Sequence, residues 1–316
     1  MKLYITGIGT CVVDDFSEEE LDQEASIKTI PAKAYMPAGV RRGTERLAKM
    51  FYIAAVKAFE DADYENRSSP PVIAGTGMSE IDAALDLLFQ IHESKGSIIS
   101  PRLVQNTVHN APSSILSIGL KNTSPVITMA HSFLSGESAV DYAFTLAETS
   151  VYRDILVVAG DQYVTRWTAM LAEKKLHHLG SKLESMNFTE GAAALLLSRD
   201  KPANRDYGAI SACCVFHLPV REKFSIKHLR KFGFSVSTDT VVILREFFRD
   251  NLPRNEELAA ILDIPLDNIM ILSAKNGTSM ASPLSNLISY IRTTTFKDIL
   301  FISSEFNDTA LLQYRS

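Results

Sequence analysis

The sequence is short of cysteine and of long apolar runs, and each shortage excludes a class of protein. Three cysteines are too few for a disulfide framework, and adjacent Cys213 and Cys214 lack the spacing of a metal finger. No uninterrupted apolar run reaches the roughly 18 residues that a membrane helix needs. Apolar residues make up 46% of the 316 and charged residues 22%, a balance that excludes a disordered chain.

The chain also lacks an excess of positive charge. The 32 basic side chains are outnumbered by 37 acidic ones, and the net charge is -5. A protein of this charge is poorly suited to hold a phosphate backbone, so we expect no nucleic-acid partner. The first residues, MKLYITG, are typical of a strand that runs into glycine and lack the flanks of a signal peptide. We therefore expect a soluble, cytoplasmic protein with no membrane partner.

Short apolar runs alternate with helical periodicity along the chain. The runs lie at residues 3–8, 72–74, 126–129, 155–159 and 192–197. Runs that are apolar on both faces predict strands covered by helices on both sides. Between the first two runs, Leu47, Met50, Phe51, Ala54 and Ala58 follow helical spacing and predict a helix of about four turns. The fold class is therefore α/β.

The last third of the sequence repeats features of the middle. The segment DILVVAGD at 154–161 is similar to DILFISSE at 298–305, and AALLLSR at 193–199 is similar to TALLQYR at 309–315. This pattern predicts two related halves, each ending in a pair of strands. We place the first half at residues 1–200 and a shortened second half at 201–316, joined by the polar segment 201–206.

Residues 126–139, VITMAHSFLSGESA, predict a buried strand, a tight turn of small residues and a buried helix. Such a turn projects a side chain at a helix N-terminus, where free N–H groups and the helix dipole favour an anion or a nucleophile. The plainer interpretation is an ordinary connection in which Ser132 or Ser135 caps the helix.

A set of motifs in a fixed order gives this sequence a family resemblance. They are TGIG at 6–9, RRGTERLAKM at 41–50, VHNAPSS at 108–114, AGD at 159–161 and FTEGAAAL at 188–195. Together they resemble the β-ketoacyl-[acyl-carrier-protein] synthases of the thiolase-fold superfamily, closely over residues 1–200 and loosely beyond. The resemblance implies a thiolase-like fold, with two related βαβαβ halves that form a layered α-β-α-β-α core.

The resemblance also implies a Claisen condensation, and this sequence departs from the residues that perform it. The catalytic cysteine of the family falls at Phe133, which has no nucleophile. The first catalytic histidine falls at Asn276, and no histidine follows His228. The glycine-rich loop before the last strand reads SSEFND at 303–308 and has lost its glycines. The standard condensing mechanism is therefore not expected.

The same resemblance leaves other residues that could act in the site in place of the missing cysteine. Ser132 and Ser135 are alternative nucleophiles for an acyltransfer reaction, which would need a nearby base such as His109 or His131. Candidate substrate-binding residues at the remaining motif positions are His109, His131, Thr278, Ser304 and Asn307. The plainer interpretation of both histidines is packing or hydrogen bonding. No cofactor and no metal site is expected.

Three functions remain open at this level. The leading hypothesis is a chain-length-factor-type partner of an active ketoacyl synthase in fatty acid or polyketide biosynthesis of the aryl-polyene type. The second is a divergent acyl-thioester synthase or acyltransferase, and the third is a thiolase-fold protein that binds a small ligand. Acyl carrier protein or acyl-coenzyme A is the expected partner, together with a homodimer or a heterodimer with an active synthase. The resemblance implies that residues 126–129 form the interface strand.

Overall fold

The computed structural model describes residues 1–22, 26–96, 101–163, 189–203, 207–219, 222–246, 252–272, 282–293, 296–305 and 307–316. Ten strands form its main sheet. They are β1 (Leu3–Val12), β2 (Val72–Gly75), β3 (Val126–Met129), β4 (Asp154–Asp161), β5 (Gly191–Ser198), β6 (Ala209–His217), β7 (Val241–Glu246), β8 (Ile269–Leu272), β9 (Asp298–Glu305) and β10 (Asp308–Arg315).

The two halves of the sheet have the same topology. From its outer edge inward, the N-terminal half runs β3-β2-β4-β5-β1 and the C-terminal half runs β8-β7-β9-β10-β6. In both halves the first three of these strands are parallel, and the fourth pairs antiparallel with the third. The similar segments found in the sequence occupy equivalent places, as β4 with β9 and β5 with β10. The prediction of two related halves in the fold is confirmed.

The halves join along a short pairing, in which β1 pairs with β6 at Leu3–Ile210 and Tyr4–Ala209. The structure does not test where one half ends and the other begins, so the boundary near residue 200 stays a prediction.

The helices of the described chain form three layers around the strands. They are α1 (Ala32–Tyr35), α2 (Ala38–Arg41), α3 (Arg46–Asp61), α4 (Ile81–Glu93), α5 (Pro101–Asn106), α6 (Ala111–Leu120), α7 (Ser135–Glu148), α8 (Ile226–Lys231), α9 (Asn255–Leu262) and α10 (Ser282–Thr293). One outer layer contains α3 and α6, the other contains α8 and α9, and α7 and α10 lie in the central layer.

Successive side chains along each strand point to opposite faces of the sheet, so each strand packs against two helix layers. In β4, Ile155 and Val157 face the central layer with α7, whereas Leu156 and Val158 pack with α3. A strand that is apolar on both faces has to be covered on both. This accounts for the continuous apolar runs of the sequence and gives the layered α/β core that they predict.

Among the described helices, none is long and apolar enough to cross a bilayer.

Candidate functional site

The connection from β3 to α7 forms a tight elbow over the carboxyl ends of the N-terminal strands. Ser132–Leu134 makes a single 3-10 turn that leads directly into α7. Ser132 has a φ of 44°, a left-handed conformation that is uncommon for a residue other than glycine. Gly75 at the end of β2 allows the close approach, because a Cβ there would lie 2.3 Å from the Ser135 carbonyl oxygen.

Phe133 stands at the centre of this elbow and its side chain is buried. Its backbone N–H donates to Oε2 of Glu305 at 2.9 Å, and the Ser132 hydroxyl also hydrogen-bonds this carboxylate. Burial raises the pKa of Glu305, although both hydrogen bonds oppose the rise. The elbow N–H, the group that a nucleophile elbow offers to a substrate oxygen, is therefore occupied by a side chain of the same molecule.

A buried ion pair lies directly beneath the elbow. Arg245 of β7 donates to the Glu137 carboxylate of α7, and the Ser303 hydroxyl donates to the same carboxylate oxygen at 2.6 Å. The two charged side chains are 2% and 1% exposed. Arg245 also reaches the Phe133 carbonyl oxygen at 3.5 Å. This group of residues ties the elbow of the first half to two strands of the second half.

The two serine candidates have different surroundings. Ser135 is buried, accepts the His131 N–H at 2.8 Å and donates to the Ser132 carbonyl at 2.7 Å, so it closes the turn before α7 but makes no cap hydrogen bond to that helix. Ser132 is exposed, and its hydroxyl lies against Glu305 rather than against an imidazole. Ser132 is therefore the exposed serine of the two, and it is also the residue with the left-handed backbone conformation.

His131 belongs to a separate hydrogen-bonded group beside the elbow. Its Nδ1 lies 3.1 Å from the Ser138 hydroxyl and its Nε2 lies 3.0 Å from Oδ2 of Asp308. His217 contacts the other oxygen of Asp308 at 2.8 Å. Burial opposes the change, but hydrogen bonds from both imidazoles lower the pKa of Asp308 below its ordinary value. His131 therefore links the elbow to the β9–β10 hairpin.

The remaining sequence candidates do not gather at the elbow. Asn276 and Thr278 lie outside the described residues. His109 is exposed, and the contact the structure gives it is through its backbone carbonyl, which accepts from Ser79 at 3.3 Å. Asn307 lies in the hairpin turn, where its carbonyl accepts the Leu218 N–H at 2.6 Å.

Ser304 does not lie in the substrate-binding position expected from the sequence. The predicted loop at 303–308 is strand up to Glu305, so neighbouring side chains point to opposite faces. Ser303 and Glu305 face α7 and the elbow, and Ser304 faces the opposite side of the sheet. Its buried hydroxyl has no hydrogen-bond partner among the described residues. Ser304 is therefore not part of the elbow.

Glu305, Arg245 and Glu137 belong to the site but to none of the motifs that predict it from the sequence. Arg245 follows the apolar run VVIL, and Glu137 lies one turn before Val140 on the apolar stripe of α7. A charged residue inside a buried pattern was a signal for a paired charge, although the pattern could not name the partner. Glu305 stands in the segment that has lost its glycines.

None of the three cysteines provides a thiolate. Burial raises the pKa of Cys11 and of Cys214 to about 12, and it raises the pKa of Cys213 well above its ordinary value. In the part of the chain that the structure describes, no cluster of three or more histidine, cysteine or acidic side chains could hold a metal ion.

Two further buried carboxylates hold the loops around the elbow. Asp161 at the end of β4 accepts the Thr76 hydroxyl at 2.6 Å and the backbone N–H groups of residues 77–79 at 2.9 to 3.1 Å. Burial raises its pKa to about 6. Glu80 accepts the N–H of Ala48 at 2.9 Å and so caps the first turn of α3. Burial raises the pKa of Glu80 to about 8.

A surface cleft of about 460 Å³ opens next to the outer strand β3. Arg42, Asn110 and Ser114 are among the residues that line it. Its α6 wall is joined to β3, because the Ser113 and Thr128 hydroxyls lie 2.7 Å apart. The outer edge of β3 has no neighbouring strand in the described chain. Large apolar side chains are exposed nearby, with Val108 at 48% and Ile118 at 68%.

Solved structures share this fold across the whole chain. The ishigamide ketosynthase/chain length factor is similar with a TM-score of 0.78 and 13% identity, covering 100% of this chain and 99% of that one. A β-ketoacyl synthase from Burkholderia phymatum STM815 is similar with a TM-score of 0.74 and 11% identity, covering 99% of each chain. A ketosynthase in complex with its chain length factor from Xenorhabdus doucetiae gives 0.56 and 12%, covering 100% of each chain.

The comparisons establish the class of fold. This chain has the thiolase-like fold of ketosynthases and chain length factors, as its sequence motifs indicate. No sequence family and no curated protein matches the chain.

Proposed function

We propose that this chain is a non-catalytic, chain-length-factor-type partner of an active ketosynthase in polyketide or fatty acid biosynthesis. The observation that carries the proposal is the elbow itself. Phe133 stands where the family has its cysteine, and Glu305 takes the Phe133 N–H at 2.9 Å. A condensing site needs a nucleophile and free donors for the developing oxyanion, and here both are replaced.

The charge of Glu305 also opposes condensation at the elbow. An acyl thioester develops negative charge on its carbonyl oxygen when it is attacked. A carboxylate already bound to the elbow N–H would repel that charge and fill its place. The high thiol pKa values also leave none of the cysteines as a substitute nucleophile.

The partner surface in this proposal is the edge of β3 with the exposed residues beside it. An unpaired strand edge is a template for another chain, and exposed apolar side chains next to it favour burial. Val108 lines the adjoining cleft, and Ile118 is exposed on α6, which contacts β3. The cleft would then help to enclose the acyl chain held by the partner. In this proposal, acyl carrier protein or acyl-coenzyme A delivers the chain to the heterodimer.

The test is co-purification and activity with an intact synthase. The chain is co-expressed with a ketosynthase that retains its cysteine, and the complex is measured by light scattering and assayed with malonyl- and acyl-carrier protein. We expect a heterodimer whose affinity falls at least tenfold with Val108→Glu. Val151→Glu is the matched control, because Val151 is equally apolar and 71% exposed but follows α7. Condensation by this chain alone would overturn the proposal.

One observation favours a second function, acyltransfer at Ser132. Its exposed hydroxyl lies at the strained elbow position, where φ is 44°. This function predicts an acyl adduct after incubation with acyl-carrier-protein or acyl-coenzyme A thioesters. Intact-protein mass spectrometry detects such an adduct, which should disappear in Ser132→Ala and persist in Ser135→Ala. No adduct with any donor would rule this function out.

A further inference from the structure

A short basic segment lies in the outer layer of the second half. Residues 222–231 read EKFSIKHLRK and carry four lysine or arginine side chains, in a chain whose net charge is -5. Lys227, Arg230 and Lys231 are three or four residues apart in α8, a spacing that places them on one face of the helix. All three are exposed, and so is Lys223 just before the helix. We call this cationic surface the α8 basic face.

The charge of the α8 basic face is not neutralised within the described chain. None of its lysine and arginine side chains forms an ion pair with a described residue. Lys231 lies over the Phe232 ring, with Nζ 5.2 Å from the ring centre, and keeps its charge. The acidic residue of the segment, Glu222, contacts Nε2 of His228 at 3.2 Å. The face therefore presents positive charge to an acidic surface.

Aromatic packing holds α8 from beneath. The Phe216 ring lies 5.6 Å from the His228 ring and 4.8 Å from the Phe232 ring, and Phe224 stacks on His228 at 5.8 Å. Leu229 is 1% exposed and fixes the inner side of the helix in the core. Because the inner side is fixed, the cations of the outer side are oriented before a partner arrives, which lowers the entropic cost of association.

The α8 basic face lies at the same end of the sheet as the elbow. Phe216, beneath α8, precedes His217, the last residue of β6, and His217 contacts Asp308 at 2.8 Å. Asp308 begins β10 and also contacts His131 beside the elbow at 3.0 Å. A partner on α8 would therefore lie close to the hairpin that holds the elbow.

The chemistry of this face favours an acidic protein as its partner. Large exposed apolar side chains occur on α4, α5, α6 and β8 of the described chain, and none occurs in residues 222–246. The face thus lacks the apolar side chains that enter a bilayer. The net charge of -5 opposes binding to a continuous phosphate backbone. A compact acidic protein surface needs only the few cations that α8 offers.

We infer that the α8 basic face is a docking surface for an acidic protein. The identification of that protein as the acyl carrier protein rests on the proposed function. The proposed synthase contact is the edge of β3 in the first half, whereas α8 lies in the second half, so the two contacts do not overlap.

The test is binding of holo-acyl carrier protein, labelled with a fluorophore and followed by anisotropy, to this chain alone and to its complex with an intact ketosynthase. Lys227→Glu with Arg230→Glu reverses the charge of the face, and Lys227→Gln with Arg230→Gln removes it. Lys2→Glu with Arg292→Glu is the matched control. Both control residues are exposed, and they lie at the opposite end of the sheet, because Lys2 precedes β1 and Arg292 is near the end of the helix before β9.

We expect the Kd to rise at least tenfold in the glutamate pair, by a smaller factor in the glutamine pair and less than twofold in the control. The loss should shrink when the salt concentration is raised from about 50 mM to about 0.5 M, because exposed charges are then screened. Circular dichroism checks that each variant is folded, and the glutamine pair carries the test if the glutamate pair is not.

Three results would overturn the inference: equal weakening by the control, no binding of carrier protein to the chain or to the complex, and tighter binding of phosphatidylserine vesicles or single-stranded DNA with the same dependence on Lys227 and Arg230. Light scattering measures heterodimer formation separately. A heterodimer whose carrier-protein binding is insensitive to these variants contradicts the inference alone. Sensitive carrier-protein binding without a heterodimer contradicts the proposed function and supports the docking surface.

Discussion

Breaking the buried ion pair between Arg245 and Glu137 should cost more stability than any surface change in this protein. The variant is Arg245→Met, which keeps most of the side-chain volume and removes the charge. It leaves the Glu137 carboxylate, 1% exposed, with the Ser303 hydroxyl as its remaining donor from this group. An uncompensated charge in that position costs about 3–5 kcal/mol.

The double variant separates the cost of an unpaired charge from the cost of losing the side chains. Glu137→Leu alone should cost a similar amount, because it leaves the guanidinium buried without its carboxylate. Arg245→Met combined with Glu137→Leu removes both charges, and its main loss is the Ser303 hydrogen bond, which is worth about 1–2 kcal/mol. The double variant should therefore be more stable than either single variant, with a coupling free energy of at least about 3 kcal/mol.

The assay is urea unfolding followed by fluorescence and circular dichroism, which gives the free energy of unfolding of all four members of the cycle. Arg153→Met is the matched control, because Arg153 pairs with Asp200 at 3.3 Å while both side chains are largely exposed, at 71% and 69%. That variant should lose no more than about 1 kcal/mol. A loss of the same size for Arg245→Met, or additive losses in the double variant, would refute the reasoning.

Three further predictions concern the elbow and its supports. Phe133→Cys should gain no acyl adduct in intact-protein mass spectrometry while Glu305 is present, because the donors for the oxyanion are occupied; an adduct on the single variant would contradict this. Burial raises the pKa of Glu80 to about 8, above the 4.5 of the unfolded chain, so its stabilising contribution is complete below about pH 4.5 and is lost as pH rises through 8. The free energy of unfolding should fall by about 1.5–2 kcal/mol between about pH 6.5 and 8, and urea titrations should show that Glu80→Gln removes this fall. Gly75→Ala should cost about 3 kcal/mol, because its Cβ would lie 2.3 Å from the Ser135 carbonyl oxygen; a stability equal to wild type would show that the elbow can shift freely.

Much of the fold could be predicted from local pattern. The apolar runs at 155–159 and 192–197 lie inside β4 and β5, and the stripe from Leu47 to Ala58 lies inside α3. These predictions succeed because burial on one or both faces leaves a period in the sequence. The similarity of 154–161 to 298–305 also reflects equivalent places in the two halves, since strands in the same environment need the same residues.

The site was predicted only in part, for a physical reason. A strand, a turn of small residues and a helix identify the elbow locally, and the family resemblance predicts that Phe133 takes the place of the catalytic cysteine. The contacts that decide its chemistry are not local, because Glu305 lies 172 residues from Phe133 and Arg245 lies 108 residues from Glu137. No periodicity connects residues at such distances.

The sequence by itself therefore determined the α/β class and the duplicated strands, and it predicts Phe133 in place of the nucleophile, since each depends on neighbouring residues or on one residue type. Only the tertiary structure decided which charges meet. In the fold, Glu305 accepts the elbow N–H, Ser304 faces the opposite side of the sheet, and His131 hydrogen-bonds Asp308. Packing two half-sheets around α7 brings these groups together, because that helix lies in the central layer between them.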